Sequence, residues 1–143
     1  MVISSKGRYA LRVMVYLAMK HDGQYIPLKE IVEKESLSQK YMESIARLLS
    51  KNHLIEAASG HGGGYRLVRE PDQYRISEVL ELTEGSLAPV ACLKEDSNPC
   101  ERSSLCYTLP IWQGLADLIN NYFDNMTLAD VVAQAKTKNK VGA

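Results

Sequence analysis

No apolar run among the 143 residues approaches the ~20 that a membrane span needs; the longest, near residues 11–19, is broken by its polar flanks. No cationic stretch precedes an apolar one at the N-terminus either, because Lys6, Arg8 and Arg12 are threaded through the apolar residues. No secretory leader is therefore read, and the chain is expected to be cytoplasmic with no membrane partner. Net charge is absent, with 17 Lys+Arg against 17 Asp+Glu. Cysteine is scarce and odd in number, three residues, which argues against a disulfide framework. There is no Ser/His/Asp set, no phosphate-binding loop, no dinucleotide fingerprint and no internal repeat, so the chain is not expected to be an enzyme. Disorder is excluded by composition, 45% hydrophobic and 24% charged. The length is that of about one domain, enough to bury roughly 68–70% of the unfolded surface.

What is present is unevenly placed. Residues 1–70 carry 11 Lys+Arg against 7 Asp+Glu, and residues 71–143 carry 6 against 10. A basic first half points to an anionic partner, and an acidic second half to a different task. All three cysteines, Cys92, Cys100 and Cys106, fall within one 15-residue stretch of the second half.

The pattern predicts a helix over 6–20, capped by Ser4 or Ser5, with Tyr9, Ala10, Val13, Met14, Leu17 and Ala18 on one face. A short helix follows Pro27, with Leu28, Ile31 and Val32 inward. After a four-residue break, Ser38 is a suitable N-cap for a third helix to about Lys51. Two extended runs, 54–58 and 65–68, flank Ser59-Gly60-His61-Gly62-Gly63-Gly64 and read as a hairpin. A further helix is expected over 76–82, ending at Gly85, and a loop over 86–107. A strongly periodic helix then begins after Pro110. Thr127 and Asp130 open a last short helix, and the tail from 136 is expected to fray. In the long helix Trp112, Leu115, Ile119, Tyr122 and Met126 form a near-heptad seam that favours a helix from a second chain.

Helix, break, helix and glycine-tipped hairpin is the order of a winged helix-turn-helix. Tyr41, Met42, Ile45, Leu48 and Leu49 of the third helix can face a core. Gln39, Lys40, Glu43, Ser44, Arg47 and Lys51 fall on the other side, offering groups to base edges near its start and cations to phosphates further along. A solvated helix face is the plain alternative; the flanking helix and hairpin weigh for DNA. The fold class is thus mainly α with a small β-hairpin wing, a winged helix-turn-helix domain plus a long dimerisation helix. The divisions read are 1–85 for the DNA-binding domain, 86–107 for a cysteine-bearing sensor loop, 108–135 for the dimerisation helix and short C-terminal helix, and 136–143 for the tail.

Four motifs in order carry a family resemblance: Val2-Ile3-Ser4-Ser5-Lys6-Gly7-Arg8-Tyr9-Ala10-Leu11, Ser38-Gln39-Lys40-Tyr41-Met42-Glu43, Gly62-Gly63-Gly64-Tyr65-Arg66-Leu67 and Leu128-Ala129-Asp130-Val131. Together they resemble the Rrf family of bacterial winged-helix regulators, over nearly the whole chain. The resemblance implies a homodimer on a pseudo-palindromic double-stranded DNA operator. Ser38, Gln39, Lys40, Tyr41 and Glu43 would lie at the major groove, with Ser44 and Arg47 beside them. The wing, Ser59, Gly60, His61 and Arg66, would reach the minor groove. Ser59 stands where relatives often carry an arginine, with His61 or Arg66 as substitutes.

The cysteines are spaced Cys92-x7-Cys100-x5-Cys106. The close C-x2-4-C pairs usual for zinc are absent. Read alone, the spacing leaves open an iron–sulfur cluster, zinc or redox thiols, and inert thiols. The resemblance implies the first, because cluster-binding members place three cysteines in this segment, with a shorter first gap. It does not identify a fourth ligand. Leu109 stands where one relative has a histidine, and Arg8 where another has an aspartate; Glu95, Asp96, Glu101, a partner-chain group or a small molecule are candidates. A 2Fe–2S cluster is preferred over 4Fe–4S. The implied function is a transcriptional regulator, read as a repressor, that senses iron–sulfur status or redox and nitric-oxide stress. The alternative is a cluster-free repressor of the cysteine-metabolism type, answering to a partner protein, a small molecule or thiol oxidation.

Overall fold

The computed structural model describes residues 2–95 and 100–140. The first helix, α1 (Ser5–Met19), is capped by Ser4, whose Oγ accepts the Gly7 N–H at 3.1 Å. The Ser4 hydroxyl in turn donates to Glu84 Oε1 at 2.6 Å, so the start of α1 is tied to the end of α4 (Ile76–Glu84). A side-chain carbon at Gly7 would meet the Glu84 carboxylate, so this contact would have to shift to admit one. Ala10, Val13, Met14, Leu17 and Ala18 of α1 are buried, as the spacing predicts, while Tyr9 is half-buried.

Against α1 lie α2 (Leu28–Glu35) and α3 (Gln39–Lys51). Ile31 is the buried residue of α2, with Leu28 and Val32 half-buried. Ser36, in left-handed backbone at φ 55°, ends α2 and turns the chain toward Ser38. Ser38 caps α3 as expected, its Oγ accepting the Tyr41 N–H at 3.2 Å. Met42, Ile45, Ala46 and Leu49 of α3 complete the core. Burial of Met42, Ile45 and Leu49 contributes about 1.5–3 kcal/mol each relative to exposure.

The hairpin consists of β1 (Ile55–Ala58) and β2 (Gly64–Leu67), antiparallel, with Ile55 opposite Leu67 and Ala58 opposite Gly64. Ile26 adds a third, one-residue rung, exchanging both backbone hydrogen bonds with Tyr65 at 2.8 and 2.9 Å. Gly64, at φ 148°, lies so close to the Ile26 carbonyl that no side chain fits.

Beyond α4 the described residues include two single-turn 3-10 segments, Ala91–Leu93 and Ser103–Leu105, inside the stretch expected to be loop. It then forms α5 (Leu109–Asp124) and α6 (Leu128–Lys140). Thr127 and Asp130 form the expected reciprocal cap, at 2.9 and 3.1 Å. The last helix is longer than the sequence reading allows, 13 residues instead of a short helix with a frayed tail from 136. Its Ala, Gln and Lys residues are good helix formers, and Leu128 and Val132 anchor it in the core.

The seam of α5 also differs. Ile119 and Met126 pack against the protein's own core, and Trp112 is half-buried. The exposed row is instead Ile111, Leu115, Leu118 and Tyr122, at spacings of four, three and four. No residue of α5 is buried.

Candidate nucleic-acid interface and cysteine segment

The cap at Ser38 aims the start of α3 outward, and its apolar face fixes which side chains remain on the surface. Gln39, Lys40, Glu43, Ser44, Arg47 and Lys51 are all exposed. Gln39 Nε2 donates to Glu43 Oε1 at 3.2 Å, one turn apart, so the two present a joined amide–carboxylate pair. The Ser44 hydroxyl donates to the Tyr41 carbonyl at 3.0 Å. Tyr41 is half-buried, its ring edge-on against Tyr9 with centroids 5.6 Å apart, so it braces α3 on α1.

A groove runs between this face, the start of α2 and the hairpin. It is lined among others by Lys29, Gln39, Glu43, Arg47, Lys51 and Ser59. Three cations against one carboxylate give its charged lining a positive balance. Lys29 was not among the residues read from sequence; the available signal was a cation in the first turn of the helix that precedes the recognition helix. Ser59, Gly60 and His61 are exposed at the hairpin tip, where the Gly63 N–H closes on the Gly60 carbonyl at 3.1 Å. Arg66 is placed differently. Its Nε donates to Glu56 Oε1 at 2.5 Å and its Nη1 to the Gly23 carbonyl at 2.6 Å, and the guanidinium lies 4.3 Å from the Tyr25 ring centroid. Arg66 braces the wing against the α1–α2 connection, leaving His61 as the outward group at the tip.

Cys92 and Cys100 are exposed and Cys106 is half-buried, and no disulfide joins them. Cys106 sits just before α5. Hydrogen bonding to its sulfur from the Thr108 hydroxyl (3.4 Å) and from the Thr108 and Leu109 N–H groups holds its pKa below the ordinary thiol value. Glu95 and Glu101 are exposed in the same segment; Asp96 lies outside the described residues. Among the described residues, no three histidine, cysteine or carboxylate side chains are gathered closely enough to hold a metal ion. The donor set thus suits an iron–sulfur cluster in kind, but the arrangement described is not a formed cage.

A family model for Rrf2, described as an iron-dependent transcriptional regulator, matches residues 3–134. The chain belongs to the Rrf2 family. Among curated relatives, the HTH-type transcriptional regulator IscR of Cronobacter sakazakii is 31% identical over 132 residues, 92% of this chain and 80% of that protein. The IscR of Escherichia coli is 30% identical over the same shares. Of solved structures, CymR (YrzC), the global cysteine regulator of B. subtilis, is similar with a TM-score of 0.77 and 33% identity, covering 94% of this chain and 98% of that one. T. potens IscR has a TM-score of 0.72 at 28% identity, covering 94% and 88%. This Rrf2 chain is therefore a winged-helix transcriptional regulator, mainly helical, as its sequence predicts. No helix among the described residues is long and apolar enough to cross a membrane.

Proposed function

We propose that this Rrf2 regulator acts as a homodimer on a pseudo-palindromic double-stranded DNA operator and that Cys92, Cys100 and Cys106 hold an iron–sulfur cluster, 2Fe–2S in preference to 4Fe–4S. The observation that carries the first part is the positive groove between α3 and the wing. In it, Gln39 and Glu43, with Lys40 exposed beside them at the start of α3, take the base edges and Arg47, Lys51 and Lys29 the phosphates, while Ser38, Tyr41 and Ser44 fix the helix that presents them. Ser59, Gly60 and His61 lie at the minor groove, with Arg66 stiffening the hairpin behind them. The exposed row on α5 is the dimer contact, because an apolar face of this length is rarely left to water. Two-fold symmetry then spaces two reading heads for two half-sites.

The cluster reading is supported by three thiols, two exposed and one half-buried, in the stretch that leads into α5. Held on these residues, a cluster would supply a redox- and gas-sensitive centre. The chain's own residues would draw together around it: Cys106 is already polarised at the start of α5, and a carboxylate such as Glu95 or Glu101 could complete the set. A second reading, a cluster-free repressor like the cysteine regulators, is favoured by the ungathered thiols and by the likeness to CymR.

Protein purified without oxygen separates the two. The expected result is a reddish-brown protein containing iron and acid-labile sulfide in near-equal amounts. Replacement of any one of Cys92, Cys100 or Cys106 by Ala should bleach it, and its DNA affinity should change between the loaded and metal-free forms, since a ligand shifts only what it binds differentially. Colourless protein with unaltered DNA affinity in all three variants supports the second reading instead.

A further inference from the structure

One buried residue is bonded to the base of the wing through its side chain and to the turn between α5 and α6 through its main chain. Tyr74 has no exposed surface. Its hydroxyl donates to the Leu54 carbonyl at 2.6 Å and accepts the N–H groups of Val68 and Arg69 at 3.0 and 3.2 Å. These three groups flank the hairpin, one just before β1 and two just after β2. The strand pairing ends at Ile55–Leu67, so Val68 and Arg69 have left the ladder when the phenol receives them. The main chain around Tyr74 faces elsewhere. Its carbonyl accepts the Leu128 N–H at 3.1 Å, and the Ile76 N–H donates to the Met126 carbonyl at 2.9 Å. This short antiparallel link holds the turn between α5 and α6. Arg69 locks the junction from outside: its guanidinium lies 4.3 Å from the ring centroid and is paired with both carboxylate oxygens of Glu78 at 3.1 and 2.5 Å.

We propose that Tyr74 is a positioning residue that makes the base of the wing follow the C-terminal end of α5, so that whatever displaces the cysteine segment and α5 reaches the wing through this side chain. The regulatory meaning rests on the reading of that segment as the responsive part; the mechanical link does not. The hinge is well placed for the purpose. α5 buries no residue and is held by Ile119, Phe123 and the turn at 125–128, whereas the α1 core beneath is closed. A shift of α5 therefore acts first on the backbone pairs at Leu128 and Ile76, on either side of Tyr74. A packed phenol with three hydrogen bonds has little freedom to absorb such a shift without moving its partners.

Amide hydrogen exchange on the metal-free, DNA-free protein tests the link, so its failure is distinguishable from failure of the cluster or operator reading. Asp130→Ala removes the carboxylate that caps Thr127 and loosens the α5–α6 turn without touching the wing. Exchange at Met14, in the core, serves as the reference for global opening. The expected result is faster exchange at Leu128 and Ile76, on the order of tenfold relative to Met14, accompanied by a similar increase at Val68 and Arg69. In a Tyr74→Phe background the same substitution should still loosen Leu128 and Ile76 but leave Val68 and Arg69, already raised, without further response. Unchanged Val68 and Arg69 in Asp130→Ala alone would overturn the proposal, even where Tyr74→Phe fails to fold. An equal wing response with and without the hydroxyl would overturn it too.

Discussion

α1 and α5 are nearly equal in length, 15 and 16 residues, yet α1 buries six residues and α5 buries none. Both are amphipathic. The difference lies in what each meets. α1 is enclosed by α3, α4 and α6, so its apolar face is satisfied within one chain. α5 rests on α4 through Ile119 and Phe123 and turns Ile111, Leu115, Leu118 and Tyr122 to solvent. The presentation of α3 and the wing is thus fixed by the protomer's own core, whereas the setting of α5 depends on a second surface. In the proposed dimer this division would keep the reading geometry rigid while leaving the distance between two such heads adjustable.

The strongest way to break the comparison is to charge the exposed row. Leu118→Glu should leave the protomer folded and convert the dimer to monomer, because an unpaired carboxylate in a covered interface costs roughly 3–5 kcal/mol. Ile119→Glu, one residue along and turned inward, should instead lower the melting temperature of the protomer. Sedimentation and calorimetry on the pair separate the outcomes; an intact dimer in Leu118→Glu would move the interface elsewhere. A smaller effect sharpens the other side. Arg47→Ala should weaken binding to all duplexes and reduce the salt slope by about one. Glu43→Ala should relax base preference by about 1–3 kcal/mol at one position, with little loss of total affinity. Titrations on operator and scrambled duplexes at several salt concentrations read both, and a uniform loss in Glu43→Ala would remove it from the reading set.

The smallest effect concerns the seat of α5 on α4. Burial, and then the negative charges of Asp124, Glu95 and Glu78, hold the Glu81 pKa above the ordinary carboxylate value. A carboxyl whose folded pKa is raised favours the fold when protonated, and that contribution is lost as pH rises through the folded pKa. Glu81→Gln should therefore raise the melting temperature at neutral pH, within the roughly 0.5 kcal/mol of ordinary surface substitutions. The gain should vanish as pH falls through the carboxylate range. A gain of equal size at both pH values would place its cause elsewhere.

Local chemistry was legible in the sequence wherever a few neighbouring residues decide the outcome. Ser38 capping α3, the Thr127–Asp130 box and the inward row Met42, Ile45 and Leu49 depend on spacing within one helix. The glycine run named the hairpin, although Gly64 is needed for a carbonyl 38 positions earlier, which no local pattern displays. The bracing contacts of Arg66 are invisible to a local reading for the same reason: its partners Gly23 and Tyr25 lie more than 40 residues away. The row on α5 was offset because heptad spacing gives the stripe and not the side on which α4 lies. The cysteines were legible as a group, but spacing cannot report that their side chains are ungathered in the folded chain.

The brace at Arg66 has one more consequence. A hairpin held by Glu56, Gly23 and Tyr25 has given up much of its conformational entropy when the chain folds, before any duplex arrives. Docking it in a groove then orders little beyond the tip residues, where each immobilised side chain costs about 0.5–1.5 kcal/mol. On the proposed docking the wing would enter as a preformed probe, and its contacts would be retained as net affinity instead of being cancelled by ordering.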